Sequence, residues 1–321
     1  MGELASPVLR RVRSTLRGLA RRALVRVKGT SVGIELVLKR KRERLFAGYR
    51  LDGKVGVEIG PLCYPMVERP THRVYYVDHC STAELRQKYE GHANVPAERI
   101  VEVDFVWGDS DLSTLLGDKA PVDYVVASHV VEHVPDLIGW LGEMHAALRE
   151  DGQLMLVVPD KRFTFDVFRR CSAWEEVRLA HDERRRKPGI RCVMDHFSNV
   201  VAADTWQMWE DYAVVDRFAY NNPPGLLEVA AREMQEGKYI DVHCWVFTPW
   251  HFLALIGRVV HEAGLGFDLD HFETTPSHNL EFYVRLRKVA TSTTDWSAAA
   301  RTAHDTALWP NGRQRAIELA G

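Results

Sequence analysis

One recurrence constrains this chain more than any other feature: short apolar runs, each ending in a loop, separated by stretches of helical periodicity. The runs are "KVGVEIG" (54–60), "RVYYVD" (73–78), "RIVEVD" (99–104), "VDYVVAS" (122–128) and "GQLMLVVPD" (152–160). Their β-branched residues suit buried strands. Between them "STAELRQKYEG" and "PDLIGWLGEMHAALREDG" are amphipathic and end in glycine, the signature of helices that stop there. Repeated strand–helix units specify an α/β fold with a parallel sheet covered by helices.

The pattern breaks after the fifth run and resumes late. Residues 248–265 ("TPWHFLALIGRVVHEAGL") read as a helix, and "GFDLDHFE" (266–273) and "NLEFYVRLRK" (279–288) as strands. So few residues separate the last two that the final strand must turn back antiparallel. Residues 161–247 are too long for a connection. They are rich in Trp, His and charge, and read as a cap over the carboxyl edge of the sheet. The expected organisation is an N-terminal extension (1–45), a ligand-binding part (46–160), the cap (161–247), a return to the sheet (248–288) and a C-terminal tail (289–321). The composition, 46% hydrophobic and 27% charged, is that of an ordinary globular chain. No run approaches the length of a membrane span. Five scattered cysteines without a C-x-x-C pair argue for a reducing, cytoplasmic setting.

The net charge of −2 hides an asymmetry. Residues 1–45 hold 13 Lys/Arg against Glu3, Glu35 and Glu43, a balance of +10, so the body carries −12. Val8, Leu9, Val12, Leu16, Leu19, Ala23, Leu24 and Val27 fall near a 3.6 period with arginines opposite. A basic amphipathic helix is expected, either solvated or lying on an anionic membrane or acidic partner. The stretch also has the Arg-rich look of a transit peptide, without a cleavage signal. The acidic body and missing recognition motif argue against a specific nucleic-acid partner.

"SHVVEHVPD" (128–136) holds His129, Glu132 and His133 in the spacing H-x-x-E-H, which on a helix would present two zinc-ligating histidines. Here an apolar β-branched run ends at Ser128, and Pro135 opens helices more readily than it continues them. The stretch is therefore expected to be a loop at the carboxyl end of the fourth strand, with a helix from Pro135. In open α/β sheets that edge is where ligands bind.

The other strand ends indicate the ligand. Glu58 and Gly60 occupy the first strand–helix turn, where glycine lets a ligand approach the backbone. Asp78 ends the second strand, placed to accept both hydroxyls of a ribose, and Asp104 ends the third, where a carboxylate can accept from an adenine amino group. Three acidic ends suit a nucleoside with a cationic tail better than a pyrophosphate, and G-x-G-x-x-G is absent. Any one of these acids could instead be a helix cap or loop carboxylate.

"EIGPLCYP", "YYVDHCSTAELRQKY", "IVEVDFVWGDSDL", "DYVVASHVVEHVPDLIGWL" and "LVVPDKRFTFD" resemble class I S-adenosylmethionine-dependent methyltransferases. With "YIDVHCWVFTPWHF" and "LEFYVRLRK", the sequence is most similar to a subgroup often encoded with polysaccharide and secondary-metabolite sugar biosynthesis genes. The resemblance spans roughly residues 45 to 288. It implies a doubly wound, seven-stranded Rossmann-like sheet with its last strand antiparallel, and S-adenosylmethionine in the cleft. By position, Glu58 and Gly60 would flank the methionine moiety, Asp78 with its neighbour His79 the ribose, and Asp104 with Phe105 the adenine. Ser128 and His129 would line the loop beneath. The first motif departs from the family's glycine-rich pattern, keeping one glycine.

Methyl transfer is an in-line displacement, so the protein mainly aligns the reactants. An aliphatic hydroxyl also needs a base within hydrogen-bond reach. The candidates are His133 on the loop, which could equally brace it, and Asp195–His196 and Asp241–His243 in the cap. "DVHCW" is the stronger, since alternation along an extended segment puts Asp241 and His243 on one face. They would form an Asp–His pair, or ligate one metal, or brace the return to the sheet. Asp160, Asp166, Asp195, Asp241 and His243 offer oxygen for Mg²⁺, but no spacing specifies such a site. Trp174, Trp206, Trp209, Tyr212, Trp245 and Trp250 could stack on a sugar or form the cap's core. The expected activity is O-methylation of a sugar hydroxyl on a glycan or glycosylated metabolite. The rivals are a nicotinamide-dependent sugar oxidoreductase and a non-catalytic relative that the arm recruits to a membrane assembly.

Overall fold

Seven strands form one sheet in the order β3-β2-β1-β4-β5-β7-β6. In chain order they are β1 (Val55–Ile59), β2 (Arg73–Asp78), β3 (Phe105–Val106), β4 (Val122–Ser128), β5 (Leu148–Pro159), β6 (Phe267–Glu273) and β7 (Glu281–Lys288). The computed structural model describes residues 31–92, 95–223 and 225–321. The arm pattern from Val8 to Val27 lies outside them. Residues 31–48 belong to one unit, which carries helix α1 (Ser31–Leu45), and residues 49–321 form a second.

β1 pairs in parallel with β2 (Val57 opposite Tyr75) and with β4 (Val57 opposite Val125), and β4 pairs in parallel with β5. β7 runs antiparallel to both its neighbours, β5 and β6, as the short link between the last two runs requires. Chain order reverses direction between β1 and β4, the kind of switch point at whose carboxyl ends open α/β sheets bind ligands.

The helices follow from local chemistry. α2 (Thr82–Lys88) starts with a capping box between Ser81 and Glu84. α3 (Leu112–Leu116) is one short turn. Asp136 caps α4 (Leu137–Ala147), accepting from Gly139 N at 2.8 Å. That helix buries Leu137, Leu141, Met144 and Ala147 in the main core with Val57, Val125 and Leu156. Among the described residues no helix is long and apolar enough to cross a membrane.

Residues 161–247 carry α5 (Trp174–Asp182), α6 (Ile190–Asn199), α7 (Thr205–Glu210) and α8 (Leu226–Gln235). They have cores of their own. Phe163, Val167, Met208, Trp209 and Tyr212 form one, Val193, Ala230 and Val242 another. Of the aromatics that could stack on a sugar or form the cap's core, Trp209 stacks on Phe163 at 4.0 Å, and Trp174 and Trp245 enter the main core.

Two expectations need correction. β3 is Phe105–Val106 rather than 99–104, so Asp104 precedes a strand instead of ending one. β3 is an edge strand, paired with β2 alone, and Ile100 turns away into a small cluster with Cys63 and Leu85. Residues 289–321 are not a tail. After α9 (Pro249–Glu262), the chain forms α10 (Trp296–Asp305) and α11 (Arg313–Ala320). Trp296 packs over Gly257 of α9 so closely that a Cβ there would lie 2.3 Å from it, and Ala316 of α11 completes the Phe163 core.

Candidate active site

The loop after β4 turns sharply. His129 takes a left-handed conformation (φ 54°), and His133 N donates to Val130 O at 2.9 Å, closing a turn before Asp136 caps α4. His129 and His133 therefore share no helical face. Their rings diverge to different carboxylates: His129 Nε2 lies 2.6 Å from Glu281 Oε2, and His133 Nδ1 lies 2.9 Å from Asp241 Oδ1. Burial opposes charge on His129, but Glu132 and Glu281 outweigh it and raise its pKa to about 9.

The end of the insertion is fastened to this loop. Cys244 N and Trp245 N both donate to Glu132 O (2.7 and 3.1 Å), and Trp245 Nε1 donates to Val134 O (2.6 Å). The fastening brings His243 against His133, edge to face, with ring centroids 4.7 Å apart. His243 Nδ1 lies 2.6 Å from Asp166 Oδ2. Arg169, buried behind them, donates to Asp166 (2.7 Å), to Asp195 (2.7 Å) and to His243 O (3.0 Å). Burial opposes the Asp166 charge, yet His243 and Arg169 hold its pKa at about 2. The Asp166 carboxylate orients the His243 ring through Nδ1 and turns Nε2 away from it.

The carboxylates and histidines thus pair across the cluster, not along the chain. Asp241 goes to His133, not His243, and Asp195 goes to Arg169 and Asn199, not His196. His196 sits 6.3 Å from His243, centroid to centroid, with Nδ1 buried and unbonded. Burial, helped by Arg169, lowers its pKa to about 4, so it stays neutral. The oxygen-rich Mg²⁺ set does not assemble either: Asp160 is bound to Arg162 and Thr275, and Asp195 to Arg169.

At the other strand ends, Gly60 needs its left-handed conformation (φ 65°), and a Cβ there would meet Val130 Cγ2 at 3.2 Å. Glu58 is committed to the chain. It is 1% exposed and accepts from Met66 N and Val67 N at 2.6 and 2.8 Å, shaping the loop instead of facing a ligand. Asp104 is also committed, to Tyr76 N (2.7 Å) and Arg69. Asp78 ends β2 as expected; its Oδ1 accepts from His79 N at 2.7 Å, and the His79 ring is exposed. Phe105 sets its ring edge-on to Tyr75 at 5.7 Å, and Ser128 closes β4.

The profile of a family described as a methyltransferase domain matches residues 37–218. The chain belongs to that family. It has structural likeness to magnesium protoporphyrin IX methyltransferase from Synechocystis PCC 6803 with bound S-adenosylhomocysteine. That pair is 12% identical over 87% of this chain and 98% of the other, with a TM-score of 0.37. An S-adenosylmethionine-dependent methyltransferase from Mesorhizobium loti is 15% identical over 78% of this chain and 100% of its own, with a TM-score of 0.38. No curated protein matches the sequence.

For a methyltransferase domain, the residues that sequence reasoning passed over are Glu132 and the specific role of Asp166. Glu132 is completely buried beneath the two histidines, and Asp166 holds His243. A carboxylate inside the H-x-x-E-H loop was the available signal for the first. Nothing in the sequence linked Asp166 to a histidine 77 positions away.

Proposed function

We propose that the chain is an S-adenosylmethionine-dependent O-methyltransferase acting on a sugar hydroxyl of a glycan or glycosylated metabolite. One observation carries this reading: His133 and His243 meet beside the carboxyl end of β4, each with Nδ1 held by a carboxylate. An aliphatic hydroxyl placed there finds an oriented ring nitrogen to take its proton, and Asp166 stabilises the imidazolium formed. The cofactor assignment rests on family membership, on the Gly60 turn and on Asp78, whose position suits ribose hydroxyls. The saccharide assignment draws on the subgroup resemblance and on Tyr239, half exposed two residues from Asp241, whose ring offers an apolar face to a pyranose. The basic arm fits peripheral contact with an anionic membrane in the cytoplasm.

Calorimetry with S-adenosylhomocysteine and NAD separates this from the oxidoreductase reading, and methyl transfer to any saccharide disposes of the non-catalytic one. Asp78→Ala is expected to weaken S-adenosylhomocysteine binding by about 1.5–3 kcal/mol, the scale of charge-assisted hydrogen bonds. His243→Ala is expected to lower kcat about 10²-fold with cofactor affinity retained. Unchanged affinity in folded Asp78→Ala protein would remove the cofactor assignment. Near-normal turnover by the histidine variant would remove the site.

A further inference from the structure

Glu132 poses a problem that proton transfer does not answer. Its side chain is fully buried, and neither oxygen receives a hydrogen bond from the described residues; the nearest cation is His129 Nδ1, 3.5 Å from Oε1. His129 gives Glu132 one charged neighbour on one side, and the side toward His133 and His243 is left without a bonded partner among the described residues. The neighbours supply a reason for its position. One donor atom each from Glu132, His133 and His243 lie within 4.8 Å of one another. Because Asp241 and Asp166 occupy Nδ1 of the two histidines, Nε2 is the donor each ring has left.

We infer that Glu132, His133 and His243 bind a divalent transition-metal cation of the Zn²⁺ type. The chemistry of the set chooses the metal. Two imidazoles and one carboxylate suit zinc and its neighbours, whereas Mg²⁺ wants oxygen. Carboxylates bonded to the far nitrogens of both rings fix tautomer and orientation, as ligating histidines require. Tetrahedral zinc at about 2.1 Å from each ligand would hold the donors about 3.4 Å apart, so the three side chains would close on the ion. Three protein ligands leave a fourth position open. The zinc arrangement that H-x-x-E-H suggests is thus replaced: His129 goes to Glu281, and His243, 114 residues further on, takes its place.

This inference rests on the methyl-transfer reading only for its use. With the cation bound, the acceptor hydroxyl would take the open position, where the cation lowers its pKa; the ring nitrogen that serves as base in the metal-free protein is then a ligand. The proton leaves the hydroxyl for solvent, and the alkoxide attacks the methyl group as the sulfur–carbon bond breaks.

The test uses the full chain, stripped with a chelator and titrated with Zn²⁺ alone against a chromophoric competitor. Binding of about one Zn²⁺ per chain is expected, and Co²⁺ should develop the visible absorption of a low-symmetry site. Glu132→Gln and His243→Ala should each weaken Zn²⁺ binding about 100-fold or more, and Asp241→Asn about 10-fold. His278→Ala, whose ring pairs with Glu210 elsewhere, should change nothing. S-adenosylhomocysteine affinity, measured on the same samples, reports folding and tests the functional reading separately. Failure to bind Zn²⁺ by protein that still binds S-adenosylhomocysteine overturns the cation site alone. Equal Zn²⁺ affinity in wild type, Glu132→Gln and His243→Ala overturns it as well.

Discussion

Substituting alanine at Gly60 tests how closely the turn after β1 and the histidine loop are fitted, and Gly53 supplies an internal control. Both glycines adopt left-handed backbones, φ 65° and 72°. Alanine in that region costs roughly 1–2 kcal/mol at either position. A Cβ on Gly53 meets nothing within 4 Å, whereas one on Gly60 lies 3.2 Å from Val130 Cγ2. Val130 is β-branched and sits in the tight turn that His133 closes, so the loop must retreat by a few tenths of an ångström. That adds about 1 kcal/mol, the lower end for overpacking. Gly53→Ala should therefore lower stability by about 1.5 kcal/mol and Gly60→Ala by about 2.5 kcal/mol. For a chain this long these are Tm shifts of roughly 3–6 °C and 5–10 °C. Urea unfolding gives both free energies, and calorimetry with S-adenosylhomocysteine gives the consequence for binding. Affinity should hold in Gly53→Ala and fall about tenfold in Gly60→Ala, the size of effect expected when a backbone that a ligand approaches is displaced. Equal losses of stability, or equal affinities, would refute the claim that the two loops are fitted to one another.

Three further outcomes follow from other features. Arg162 is fully buried and bidentate to Asp160, so Arg162→Met should cost about 3–5 kcal/mol, largely recovered by adding Asp160→Asn, as read by urea unfolding. The His196 pKa falls to about 4 on folding, below its unfolded value. Below pH 6.5 the unfolded chain therefore takes the proton first, and stability should drop by about 2 kcal/mol between pH 6.5 and 4. His196→Gln should flatten that part of the profile. Removing residues 1–30 discards eight of the thirteen basic residues of the arm and should abolish cosedimentation with anionic vesicles while S-adenosylhomocysteine affinity holds.

The sheet was legible because buried strands advertise themselves. "VDYVVAS" and "LMLVVP" are apolar on both faces, and the tight spacing before β7 left no room for a parallel crossover. β3 was misjudged because an edge strand is held by one neighbour and bears little apolar signal, so Ile100 and Val103 passed for strand residues. The loop at 128–134 was legible from Ser128 and Pro135. The pairing of its histidines was not. Asp241 beside His243 and Asp195 beside His196 look like couples in one dimension, yet Arg169 claims Asp195, and His133 claims Asp241. Such choices depend on which segments the insertion folds together. The C-terminal helices were hidden for the same reason, since α10 makes sense only against Gly257, a close approach no local pattern records.

The fastening of Cys244 and Trp245 to the Glu132 carbonyl has a kinetic consequence. His133 and Asp241 are 108 residues apart, so their meeting closes a long loop, at an entropic cost of about 4 kcal/mol beyond the constant term. Nothing local can organise the site in advance of that closure: the sheet through β5 can exist while His133 still points into solvent. During synthesis the histidine cluster is therefore assembled late, when the ribosome has released Trp245. In the finished protein, the amide protons of Cys244 and Trp245 become a direct gauge of it. Their exchange with solvent measures how often the insertion lets go, and each such opening takes His243 away from His133 in the same stroke.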